Sequence, residues 1–146
     1  MPVSEWMSLH PLTVTPKTTV GTALRLLREH GIRRLPVIEE GSPVGVVRTE
    51  DLLRLTPSEA TTLDRYELHD LLQRLTVARA IAPATMVKPE VSLGEAARTF
   101  LLDGTEELLV VTDGRLLGIL THSDLLRGLM ARREAAPMSE GEAVRE

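Results

Sequence analysis

The segment Gly118-Ile119-Leu120-Thr121-His122-Ser123-Asp124 runs from an apolar stretch into hydroxyl residues and then an aspartate. That order places the aspartate in the first turn of a helix that follows a strand. Free N–H groups at a helix start attract anions, and the hydroxyls of Thr121 and Ser123 add donors for phosphate oxygens. An ionised carboxylate only accepts hydrogen bonds, so Asp124 suits a pair of donors such as two neighbouring hydroxyls of a sugar. Gly118 lets a second backbone or a flat ring come close. Together these groups fit a nucleoside phosphate, with ribose on Asp124 and phosphate on Thr121 and the helix start. Ordinary capping chemistry is the alternative, because Ser or Thr before a helix with Asp in its first turn stabilises the helix start without a ligand.

Other chemistries find little support. With no cysteine, disulfides, iron–sulfur clusters, thiolate zinc sites and a cysteine nucleophile are excluded. His10, His30, His69 and His122 lack metal-ligand spacing; His30 reads as a helix C-terminal residue, and His122 is close enough to the motif to touch a ligand. No Gly-x-Ser-x-Gly elbow or phosphate-binding Gly-Lys-Ser/Thr loop occurs. Glu39-Glu40 and Glu106-Glu107 read as exposed charges at strand ends. No catalytic residue and no metal site is expected.

The elements that must position Asp124 come from a duplication. Shifting the chain by 73 positions superposes Val14 on Val87, Pro16 on Pro89, Ala23 on Ala96, Gly31 on Gly104, Val37 on Val110 and Gly45 on Gly118. Asp51-Leu52-Leu53-Arg54 then falls on Asp124-Leu125-Leu126-Arg127. Each copy reads as β-α-β-β-α. A short extended piece (residues 12–14; 85–87) ends at an X-Pro step. A helix follows (20–30; 93–103), with Ser92 and Glu95 at capping-box spacing and Gly31 and Gly104 at the helix ends. Two apolar strands (35–38 and 44–47; 108–111 and 116–120) meet at Glu40-Gly41 and Asp113-Gly114, the second a strong hairpin signal. A last helix opens near Thr49 and near His122. One unit alone is marginal in size, so two copies sharing a core make sense of the duplication.

The chain has 146 residues, 42% of them hydrophobic and 26% charged, the composition of a globular protein. Aromatics at 2% and a net charge of −4 argue against base-stacking or nucleic-acid coating. No apolar run reaches the ~20 residues of a membrane span, and no secretory signal is visible, so a cytoplasmic protein is expected. Between the copies, Leu68, Leu71, Leu72 and Leu75 mark one face of a connector helix that Ser58 or Thr62 could cap. Trp6 and Met7 are expected to anchor the N-terminal arm, with a nucleobase contact as the lesser reading.

The doubled unit resembles a tandem pair of cystathionine-beta-synthase (CBS) domains, a Bateman module. Arg34-Leu35-Pro36-Val37-Ile38 and the Gly-apolar-apolar-Thr-x-x-Asp run from Gly118 to Asp124 carry the resemblance, which covers residues 3–133. The connector residues 60–68 are similar to those of acetoin-utilisation-type CBS proteins. The resemblance implies an α+β fold of two β-α-β-β-α repeats packed as a pseudo-twofold pair: residues 1–57, a helical connector 58–75, residues 76–134, and a frayed tail 135–146. It implies a non-enzymatic regulatory module, without a prosthetic group, that binds AMP, ADP, ATP or S-adenosylmethionine between the repeats and forms a homodimer, with no nucleic-acid or membrane partner.

Carried onto this sequence, the site would combine Ile119, Thr121, His122, Ser123 and Asp124 with Leu12, Ile32, Arg33, Arg34 and Pro36. Arg33 and Arg34 point to opposite faces of a strand, and Arg34 is the one expected to reach a phosphate. A second, weaker site would use Arg48 and Asp51. It departs from the family pattern, because Arg48 stands where Thr or Ser is usual. Glu106 and Glu107 would lie on its edge and repel a phosphate by about 1 kcal/mol or more per close pair; Arg48 is placed to pair with one of them. This site is expected to be empty or to take an uncharged or cationic ligand. The rival reading is a ligand-free dimerisation module with Asp124 capping its own helix.

Overall fold

The computed structural model describes residues 1–56 and 63–135, with side chains described to residue 131. In chain order the elements are β1 (Ser8–Leu9), α1 (Val20–Glu29), β2 (Arg34–Glu39), β3 (Ser42–Arg48), α2 (Thr49–Arg54), α3 (Arg65–Arg74), β4 (Thr85–Val87), α4 (Leu93–Asp103), β5 (Glu107–Thr112), β6 (Arg115–Thr121) and α5 (His122–Ala135). This is the β-α-β-β-α order in both copies, except that Val14 makes only an isolated parallel bridge to Val37 where β4 pairs in parallel with β5.

Local chemistry sets the boundaries. The Thr19 hydroxyl accepts from the Thr22 N–H at 3.1 Å, and the Ser92 hydroxyl accepts from the Glu95 N–H at 3.1 Å, so α1 and α4 each start on a side-chain cap. α1 stops one residue before its periodicity predicts, because His30 becomes the cap and its Nδ1 lies 3.0 Å from the Leu26 carbonyl oxygen. Both hairpin turns have positive φ at their two central residues: 50° and 83° at Glu40-Gly41, 51° and 74° at Asp113-Gly114. Two-residue turns of this hand match the twist of the flanking strands. Asp64 caps α3 by accepting from the Glu67 N–H at 2.8 Å. The expected caps Ser58 and Thr62 lie outside the described residues. The apolar stripe of α3 is half-buried, with Leu72 and Leu75 against the core of the first repeat.

The compact units do not follow the boundaries of the sequence copies. One unit runs from Pro11 to Ala84; the other joins Met1–His10 to the chain from Thr85 onward. In the first, β2 and β3 form an antiparallel hairpin, and Val46 exchanges hydrogen bonds with Ala82 at 3.0 and 2.8 Å. In the second, the sheet order is β1-β6-β5-β4, with Ser8 opposite Ile119 and Leu9 opposite Gly118. Leu9 and Ala82 are 73 positions apart, so the duplicated segment closes the sheet edge in both units. In each case, however, it lies against the third strand of the other copy.

Gly45 and Gly118 explain why the closing segment can lie so near. A Cβ at Gly45 would meet the Ala82 carbonyl oxygen at 2.3 Å, and one at Gly118 would meet the Ser8 carbonyl oxygen at 2.7 Å. Each unit then buries a helix-facing core. The first uses Val20, Leu27, Leu35, Val37, Val47 and Leu52; the second uses Val3, Leu93, Phe100, Leu108, Leu120 and Leu125. Trp6 and Met7 pack on the second core, which is the anchoring role expected of them.

Candidate functional site

β6 runs straight into α5, which puts Thr121 at the last strand position and Asp124 in the first helical turn. Asp124 is only 4% exposed. Its Oδ2 accepts from the Thr121 N–H at 2.9 Å and from the Thr121 hydroxyl at 3.1 Å. Its Oδ1 accepts from the Arg127 guanidinium, one turn along the same helix. The capping chemistry left open by the sequence is therefore made. The Thr121 hydroxyl, expected to face a phosphate, turns instead to the carboxylate, because the short step from strand to helix brings the two within bonding distance.

His122 and Ser123 are exposed beside it. The His122 Nε2 lies 3.1 Å from the Thr105 carbonyl oxygen, and its ring meets Phe100 edge-on with centroids 4.6 Å apart. Ile119 is buried in β6, opposite Ser8 on one side and Leu109 on the other. These five residues form one group at a single strand-to-helix junction.

The other expected group belongs to the Pro11–Ala84 unit. The Val14 segment lies parallel to β2, which sets Leu12 at the same end as the start of that strand. Leu12 and Ile32 are each 37% exposed. Arg33 is exposed, and its carbonyl accepts from the Thr49 N–H at 3.2 Å, tying the start of α2 to the strand edge. Arg34 is half-buried at the head of β2, opposite Arg48. Arg33 precedes β2, so strand alternation does not apply to the pair. Pro36 is buried, and its carbonyl accepts from the Val14 N–H at 3.0 Å.

The counterpart of Asp124 is built differently. Asp51 retains 20% of its side-chain exposure and faces two guanidinium groups, Arg54 at 3.1 Å and Arg48 at 3.8 Å. Arg48 occupies the position of Thr121, so a cation replaces the hydroxyl. The edge residues equivalent to Leu12, Ile32, Arg33 and Arg34 are Thr85, Thr105, Glu106 and Glu107. Glu107 corrects the expectation of an exposed strand-end charge, for it is fully buried. It opens β5, which is flanked by β4 and β6, and it stands opposite Thr121. The Thr105 hydroxyl donates to the Glu107 carbonyl at 3.0 Å and lies 3.4 Å from its Oε2.

Arg127 and Arg54 were not singled out as site residues from the sequence. The signal was present in Asp-Leu-Leu-Arg, since residues three apart on a helix are neighbours. Among the described residues no group of three or more His, Cys, Asp or Glu could hold a metal ion. Among the same residues no helix is long and apolar enough to cross a membrane.

A family model for the CBS domain matches the chain twice, over residues 3–58 and 77–131. The CBS domain-containing protein CBSX2 of Arabidopsis thaliana, described as chloroplastic, is 34% identical over 142 residues, covering 83% of this chain and 60% of that protein. The chain spans 43% and 33% of two uncharacterized Methanocaldococcus jannaschii proteins, MJ0188 and MJ1404, which it also matches. Among solved structures, CBSX2 superposes with a TM-score of 0.76 at 34% identity, covering 92% of this chain and 98% of that one. A structure of CBSX2 in complex with AMP gives 0.73 at 33% identity, covering 90% and 98%.

Proposed function

Because this chain belongs to the CBS domain family and carries the domain twice, we propose that it is a regulatory CBS pair whose signal is an adenosine-containing ligand: AMP, ADP, ATP or S-adenosylmethionine. Asp124 takes the ribose hydroxyls, Thr121, His122, Ser123 and Ile119 flank it, Leu12, Ile32 and Pro36 hold the base, and Arg34 meets the phosphate. Arg33 then faces solvent or a partner. The observation that carries the reading is the buried Asp124 carboxylate at the strand-to-helix junction. The AMP complex of a protein 33% identical to this one supports the ligand class. The two half-exposed apolar side chains, Leu12 and Ile32, add a surface suited to a purine.

The second pair, Arg48 and Asp51, does not take a nucleotide in this reading. Asp51 is matched by two arginines, Thr85 and Thr105 stand where Leu12 and Ile32 hold the base, and the equivalents of Arg33 and Arg34 are the acidic Glu106 and Glu107. One ligand per chain is the expected stoichiometry. A homodimer fits the solvent-facing side of α5, where Leu126 and Met130 are 59% and 63% exposed one turn apart. A ligand that prefers one arrangement of the pair shifts the population toward it, and that shift is the output. No step of catalysis is assigned, and a cytoplasmic location accompanies the reading.

Thermal melting with each of the four ligands at millimolar concentration tests the proposal. Binding to the folded state alone raises the midpoint by mass action, and Asp124→Asn should erase the rise. No rise with any of the four would count against nucleotide sensing. It would favour a ligand-free dimerisation module, a reading supported by the engagement of both Asp124 oxygens within its own helix start.

A further inference from the structure

The partner of the Asp124 Oδ1 carries an inference that rests on the nucleotide reading. Oδ2 already receives two donors from Thr121, so Oδ1 is the less committed of the two oxygens, and Arg127 occupies it. A ribose presents two neighbouring hydroxyls, and a carboxylate oxygen has two lone pairs, so Oδ1 can accept from both once Arg127 leaves it. The carboxylate is 5% exposed at its side chain, whereas the arginine is 62% exposed. The solvent-facing member of the pair is therefore the guanidinium.

The same contact recurs 73 positions earlier, where Arg54 reaches Asp51 at 3.1 Å with 77% of its side chain exposed. Its return in a second unit, with different neighbours, marks it as a product of helix geometry at spacing i, i+3. A change of rotamer frees Oδ1 without any movement of the helix.

We infer that Arg127 is an internal occupant of the sugar-binding carboxylate, and that an adenosine ligand binds by displacing it. Arg127 then sets the affinity from outside the ligand: it keeps the buried charge paired when no nucleotide is present and competes with the ribose when one arrives. Removing it should tighten binding, the opposite of what removal of a phosphate-contacting arginine does.

Calorimetric titration of the full chain and of Arg127→Met, with AMP, ADP, ATP and S-adenosylmethionine as probes, decides the matter. Displacement predicts that the variant binds about three- to tenfold more tightly, the net scale of one hydrogen bond to a solvent-exposed donor. Binding by the variant alone would support the inference most strongly. Equal or weaker binding by the variant, with the natural chain still binding, overturns the displacement and leaves nucleotide sensing standing. Binding by neither chain removes the nucleotide reading, and the displacement falls with it. Arg127→Gln serves the same comparison should the Met variant fail to fold. Side-chain NMR of the Arg127 Nε–H gives a second readout: an ordered signal without ligand should average out on saturation, whereas an arginine with a purely structural role would not change.

Discussion

Asp124→Ala and Asp51→Ala change the same residue type at matched positions of the duplication, yet they should differ several-fold in cost. At Asp124 the substitution removes an acceptor serving three donors, one of them the Thr121 backbone N–H, from a site 4% exposed. A lost cap costs about 1 kcal/mol and a charge-assisted bond to a buried group about 1.5–3 kcal/mol. Partial replacement by water leaves a net of about 2–3 kcal/mol. At Asp51 the partners are Arg54, 77% exposed, and Arg48 at 3.8 Å, so the loss is about 0.2–1 kcal/mol. For a chain of this size the Asp124 change lowers Tm by roughly 10 °C, and the Asp51 change by only a few degrees. Trp6, the single tryptophan, packs in the same unit as Asp124, so its fluorescence in urea reports that unit's unfolding, while far-UV circular dichroism follows both. Equal losses at the two positions, or a loss under about 0.5 kcal/mol at Asp124, would refute the assignment of that carboxylate as a buried structural acceptor.

Gly45→Ala drives a Cβ to 2.3 Å from the Ala82 carbonyl oxygen, whereas Gly41→Ala, at φ 83°, meets nothing within 4 Å. The first should cost about 2–4 kcal/mol through the broken Val46–Ala82 pairing, the second only the ~1 kcal/mol of a left-handed non-glycine, as urea midpoints would show. Glu40 holds φ 50° in its hairpin turn, so Glu40→Asn should stabilise by about 0.5–1 kcal/mol in the same assay. The backbone N–H of Glu67 on Asp64 holds that carboxyl below its ordinary value, while hydrogen bonding and repulsion from Asp64 raise Glu67. The Asp64 contribution is thus complete above the usual aspartate pKa and lost as pH falls through the depressed one. The Glu67 contribution has the reverse sign, fading as pH rises through its elevated value. Protection of the Glu67 amide, taken relative to its intrinsic exchange rate at each pH, should fall below about pH 4, and that fall should be absent in Asp64→Asn.

The register of 73 made most of the framework legible, because matched glycines, X-Pro steps and the Asp-Leu-Leu-Arg run fix element order without any knowledge of packing. Hairpin chemistry at Asp113-Gly114 and capping at Ser92 also follow from local rules, and both are realised. Glu107 was misjudged because position along a strand says nothing of how many neighbours the strand acquires; β5 is interior to its sheet. The crossing of the closing segments was hidden for a related reason, since Leu9 and Ala82 carry no mark of which copy's third strand they join. At the candidate site, the residue types of Asp124 and Thr121 were readable, but their mutual hydrogen bonds and the grip of Arg127 depend on side-chain direction at a single turn.

The pairing of Ser8 and Leu9 with Ile119 and Gly118 joins residues 111 and 109 positions apart. During synthesis β1 emerges well before β6, so it must wait for its partner while every element between them is made. The Pro11–Ala84 unit has its full complement of strands long before that. Cleaving the chain between β1 and β6 would leave the fragment that carries β6 with an open sheet edge, and such an edge recruits the missing strand from another molecule.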